Sequence, residues 1–108
     1  MRFKLAPAIK TRWLRALRSM RYKKGYGQLV SPRLNKFCCL GVLADIQGAE
    51  FDVERDHFLP MPVGQKAGFY LDKKLACGLS RARQLTLARI NDASSTFDPV
   101  IEYIEKRL

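Results

Sequence analysis

Acidic side chains are absent from the first 44 residues of this 108-residue chain. Eleven bases lie there with nothing in sequence to neutralise them: Arg2, Lys4, Lys10, Arg12, Arg15, Arg18, Arg21, Lys23, Lys24, Arg33 and Lys36. The rest of the chain holds nine bases and ten acids, so the net charge of +10 belongs to the N-terminal part alone. Such an asymmetry attracts nucleic acid, nucleotides, an acidic protein or anionic lipid, and it carries no information about fold.

Other absences narrow the classes further. No run of about 18 apolar residues is present to span a membrane, and Met1 to Ala8 lacks the apolar stretch of a signal peptide, so the expected location is the cytoplasm. The three cysteines are an odd number, two of them adjacent, and no C-x-x-C pair occurs. A disulfide framework and a four-ligand zinc site are therefore not expected. Cys38 and Cys39 read as small buried hydrophobes. A thiol–imidazole dyad of Cys77 with His57, the only histidine, has no supporting motif. No cofactor is expected, and there is no internal repeat or low-complexity tract.

The composition, 47% hydrophobic and 28% charged, is that of one globular domain spanning the whole chain. Pro7 opens a helix to about Tyr22, with Ile9, Trp13, Ala16, Leu17 and Met20 at helical spacing. Arg12, Arg15, Arg18 and Arg21 recur every third residue on the opposite, solvent-facing side. Gly25, Gly27 and Ser31-Pro32 mark a loop, and Asn35 is read as the cap of a second helix from Lys36 to Gln47. That helix is apolar nearly all round and is expected at the centre of the fold, with Gly48 at its C′ position and Gly41 admitting a close neighbour. Residues 49–79 suit two to four short strands, Gly68-Phe69-Tyr70-Leu71 among them. Ser80 caps a third helix to Ile90, with Ala82, Leu85 and Ala88 facing inward. Ser95 or Thr96 caps a last helix, which tolerates Pro99 in its first turn and sets Phe97, Val100, Ile101, Ile104 and Leu108 on one stripe. The expected class is α+β, with about four helices and a small antiparallel sheet or hairpin in the middle.

Three groups of motifs carry a family likeness: Trp13-x-x-Ala16-Leu17-Arg18-Ser19 with Tyr22 and Gly25-Tyr26-Gly27-Gln28-Leu29; Cys38-Cys39-Leu40-Gly41-Val42-Leu43; and Leu87-Ala88-Arg89-Ile90-Asn91-Asp92 with Phe97 and Ile101-x-x-Ile104-Glu105. Together they resemble small proteins encoded by tailed bacteriophages and prophages. Met20 and Ser94 stand where that pattern expects glycine. The resemblance implies a phage accessory protein in the cytoplasm of the infected host, of the kind that binds and blocks host machinery, and it carries over no catalytic residue.

For function, the strongest signal is an anion-binding set of Arg12, Arg15, Arg18, Arg21, Lys23 and Lys24 with Tyr22 and Tyr26. Guanidinium forks pair with phosphates, and aromatic rings stack on bases. The expected function is non-enzymatic binding of a nucleic acid or nucleotide in counter-defence. Two alternatives stand beside it: inhibition of a host defence component, such as a CRISPR system, by docking on its acidic surface, and a small metal-dependent nuclease built on Asp52, Glu54, Asp56 and His57. The same acidic row could instead meet the basic helix of a second copy in a homodimer. A helix-turn-helix over Leu85 to Ile104 is disfavoured for DNA, because Asp98, Glu102 and Glu105 would face phosphates; a packed helical hairpin is expected there.

Overall fold

A computed structural model describes residues 3–26, 29–31, 36–52, 61–62 and 71–108. Its order is α1 (Pro7–Arg18), β1 (Lys23–Lys24), β2 (Val30–Ser31), β3 (Lys36–Phe37), α2 (Cys39–Ile46), β4 (Phe51–Asp52), β5 (Met61–Pro62), α3 (Arg81–Asp92) and α4 (Asp98–Arg107). The class is α+β, as the residue pattern predicts. An antiparallel pairing of β4 with β5 lies mid-chain, in register Phe51 with Pro62 and Asp52 with Met61.

A second sheet precedes α2, where the sequence reads as a loop and a helix start. Its order is β1-β3-β2, with β3 parallel to β1 and antiparallel to β2, so this sheet is mixed rather than antiparallel. Lys36 and Phe37 belong to it, and α2 starts three residues later than expected. Its N-cap is Cys38, whose sulfur accepts from the Gly41 amide; Asn35 lies outside the described residues. Gly48 takes the C′ position after the Gln47 cap, with φ +81.

The first helix is shorter than its apolar spacing suggests. It closes at Arg18, where the Ser19 hydroxyl donates to the Ala16 carbonyl, and Met20 then adopts φ 65. A left-handed methionine costs about 1 kcal/mol, and a glycine there would not. Arg21 therefore leaves the helix and sits on the turn that leads into β1.

Residues Cys39 to Ala44 of α2 are all buried, and α1, α3 and β3 pack around them. Trp13 is fully buried, and its indole Nε1 donates to the Cys39 carbonyl at 3.0 Å. The tryptophan of one motif is thereby tied to the double cysteine of the next. The third helix starts at the Ser80 cap, whose hydroxyl accepts from the Arg83 amide. It buries Gln84, Leu87 and Asn91 rather than Ala82, Leu85 and Ala88. The last helix uses Phe97 as its N-cap residue, while the Thr96 hydroxyl accepts from the Asp98 amide. Val100, Ile101 and Ile104 of α4 are buried, and α4 packs on both α3 and α1. The two C-terminal helices thus form a packed pair.

Candidate anion-binding face

The basic side chains are placed by two chain features, the exposed flank of α1 and the turn that follows it. Trp13, Leu14 and Leu17 occupy the buried side of the helix, which leaves Arg12, Arg15 and Arg18 exposed. The left-handed step at Met20 then carries Arg21 and Tyr22 back toward the C-terminal end of α2. Arg12, Arg15, Ser19, Arg21, Tyr22 and Ile46 line an open cleft of about 410 Å³. Arg15 and Ser19 also border a second cleft of about 560 Å³ with Thr11, Leu14 and Arg18. Arg15 is thus shared by two concave surfaces.

Each arginine has a different local task. Arg12 donates from its guanidinium to the Ile46 carbonyl, one of the unpaired acceptors at the end of α2. That helix has no base in its own last turn, so Arg12 supplies the cation that its negative end favours. Arg18 turns the other way and pairs with Glu105 of α4 at 2.5 Å, both side chains being half exposed. The Glu105 backbone carbonyl also accepts from the Lys10 ammonium. Arg15, Arg21 and Lys23 are exposed and make no ion pair among the described residues.

The two tyrosines are placed differently. Tyr22 packs edge-on against Phe37, with ring centroids 5.0 Å apart, and its hydroxyl donates to the Asp45 carboxylate. Burial, and then this carboxylate, push its phenol up to about 12. Its ring is thereby committed to the sheet rather than free to stack. Lys24 and Tyr26 do not line either cleft. The Lys24 ammonium lies 3.5 Å over the Tyr26 ring centre, is buried, and has no hydrogen-bond partner among the described residues. Lys24 is therefore not presented to solvent as a phosphate contact, whereas Tyr26 is 51% exposed.

Three features of this face were not apparent as site residues from the sequence: Glu105, Asp45 and the Ile46 carbonyl. Asp45 did carry one cue, being the first acid in the chain. Nothing local marks Glu105, which lies 87 residues from Arg18.

Burial raises the Cys38 thiol to about 11 and the Cys39 thiol well above its ordinary value. Both are buried, as expected of small hydrophobes, and Cys38 in addition caps α2. The Cys77 thiol is also raised by partial burial, while His57 lies outside the described residues. Of the acidic row, Asp52 is in β4, and Glu54 and Asp56 lie outside the described residues. Among the described residues, no cluster of His, Cys, Asp and Glu could hold a metal ion, and no helix is long and apolar enough to cross a membrane.

No curated protein and no solved structure matches the chain. A family model does match it, over residues 5–76, a segment that contains the arginines and lysines of the basic face and stops short of α3, α4 and Glu105. The chain therefore belongs to the family described as Domain of unknown function (DUF8296).

Proposed function

We propose that this protein is a non-enzymatic binding protein that holds a phosphate-bearing partner, a nucleic acid or a nucleotide, on the face formed by Arg12, Arg15, Arg21 and Lys23. The observation that carries the proposal is the exposure of Arg15, Arg21 and Lys23 without an ion pair among the described residues, with Arg15 and Arg21 lining an open cleft. Unpaired guanidinium groups have no existing ion pair to break on meeting a phosphate and can each donate two parallel hydrogen bonds to it. The likeness to phage accessory proteins adds the expected use, counter-defence in the cytoplasm of an infected host.

Arg18 and Glu105 refine the expectation. The carboxylate holds Arg18 on the α4 side, where it competes with an incoming phosphate. Arg15→Ala with Arg21→Ala should weaken binding of a labelled single-stranded oligonucleotide about tenfold or more. Glu105→Gln should strengthen it by roughly twofold to threefold, because an exposed pair of this kind is worth only a few tenths of a kcal/mol to about 1 kcal/mol. Fluorescence anisotropy at low salt reads both. Wild-type affinity in the double arginine variant, with its melting curve unchanged, would contradict the assignment of this face.

One observation favours a second reading, an acidic protein surface as the partner. Met20 is 92% exposed between Arg18 and Arg21, and methionine and arginine are both enriched at interfaces. A pull-down from nuclease-treated host lysate separates the two readings. A stoichiometric protein that stays bound to wild type and is lost from Met20→Ser supports the protein partner, and loss of the partner on nuclease treatment supports the nucleic acid.

A further inference from the structure

The Lys24-Gly25-Tyr26 segment is held more tightly than a surface turn requires. The Gly25 amide donates to the Phe37 carbonyl at 2.7 Å, and the Gly25 carbonyl accepts from Asn91 Nδ2 at 2.9 Å. Asn91 is fully buried in α3, so the peptide groups on both sides of Gly25 are anchored to the interior. This fixes where Lys24 and Tyr26 leave the backbone. The Lys24 ammonium then lies against the phenol ring, buried and without a hydrogen-bond partner among the described residues. Tyr26 is nevertheless half exposed. It is a fixed aromatic plate with a cation behind it and solvent beside it.

From this arrangement we infer that Tyr26 is a stacking platform for an unpaired nucleobase of the partner. The inference rests on the proposed phosphate-binding face and adds the chemical class of the ligand, a base-bearing single strand or nucleotide rather than a duplex or a bare polyphosphate. A cation on one side of an aromatic ring draws electron density toward itself, which favours an electron-rich purine on the other side. Base–aromatic stacking of this kind tolerates many sequences, because every base presents a π face. Duplex DNA hides its bases inside the stack and cannot use such a plate without unpairing. Arg21 and Tyr26 are five residues apart, so their backbones lie within about 18 Å, a distance that one short strand can bridge.

The test compares Tyr26→Ala, Tyr26→Phe and the Arg15→Ala/Arg21→Ala double variant on four probes: a short oligo-deoxyadenosine strand, adenosine triphosphate, the matching duplex, and inorganic polyphosphate. Wild type should prefer the single strand to the duplex. Tyr26→Ala should lose about tenfold on the single strand and on adenosine triphosphate, and nothing on polyphosphate. Tyr26→Phe keeps the ring and should bind as wild type does. Equal loss by Tyr26→Ala on the single strand and on polyphosphate would overturn the stacking role. Wild-type binding of the single strand by Tyr26→Ala, with the arginine variant impaired, would also overturn it and leave the basic face standing. Failure of wild type to bind any of the four probes would overturn both. Melting curves of each variant identify any loss that comes from unfolding.

Discussion

Replacing Gly41 with alanine is expected to destabilise the fold severely, although alanine is the better helix former by about 1 kcal/mol. A Cβ at position 41 would lie 1.8 Å from the Leu29 carbonyl oxygen and 2.8 Å from its carbon. Both are backbone atoms, so no rotamer change relieves the overlap. The carbonyl cannot simply withdraw either, because it accepts from the Cys38 amide at 3.1 Å, immediately before α2 begins. Alanine must therefore separate the chain entering β2 from α2, the most deeply buried helix. Overpacking that forces backbone movement costs about 3 kcal/mol or more, a large share of the roughly 5–15 kcal/mol that holds a domain together. Thermal unfolding followed by circular dichroism should show the midpoint reduced by about 15 °C or more, or no transition at all. A midpoint within a few degrees of wild type would show that the packing of Leu29 on Gly41 is wrong.

Asn91→Ala should be nearly as damaging, for an unrelated reason. The Asn91 side chain accepts from the Cys39 amide at 3.1 Å and donates to the Gly25 carbonyl at 2.9 Å. The Cys39 amide opens α2 and has no partner within its own helix. Removing the carboxamide strands a buried donor and a buried acceptor at once, each costing about 1–3 kcal/mol, and leaves a small cavity. A total near 3–5 kcal/mol is expected. It should appear in urea unfolding as a lower midpoint with an unchanged slope, since the surface exposed on unfolding is the same. Ser95→Ala, on the exposed turn before α4, should change the midpoint little and serves as the control.

These two residues show why the helices were legible and other features were not. Apolar spacing placed all four helices, and the central position of α2 followed from its lack of a polar side. The same spacing misjudges the inward face of α3, which buries Gln84, Leu87 and Asn91 where Ala82, Leu85 and Ala88 are expected. Gln84 and Asn91 are buried because backbone groups satisfy them: Gln84 accepts from the Leu71 amide and donates to the Leu71 and Leu79 carbonyls. No pattern in the sequence marks a glutamine that will find such partners. The sheet before α2 was missed on other grounds. Each strand is two residues long, too short for an alternation to register, and β1 is simply Lys23-Lys24. What makes it a strand is its parallel pairing with Lys36 and Phe37, which no local feature encodes.

The candidate site divides in the same way. That Arg12, Arg15 and Arg18 would be exposed follows from their spacing against Trp13 and Leu17. That Arg12 reaches the Ile46 carbonyl and Arg18 reaches Glu105 depends on how α1 meets α2 and α4. Met20 connects the two levels. Glycine is the residue expected there from the sequence pattern, and the backbone adopts the left-handed conformation that glycine favours, with methionine bearing the strain.

The central claim, that the N-terminal basic face binds phosphate, is tested most directly by the salt dependence of single-strand binding. Neutralising phosphates releases condensed counterions, so the logarithm of the association constant should fall linearly with the logarithm of salt concentration, with a slope of about −0.7 for each phosphate contacted on a single strand. Engagement of Arg15, Arg21 and Lys23 predicts a slope near −2 for wild type, reduced by more than half in Arg15→Ala/Arg21→Ala. A wild-type affinity that stays flat from low to high salt, or an equal slope in the double variant, would contradict the account.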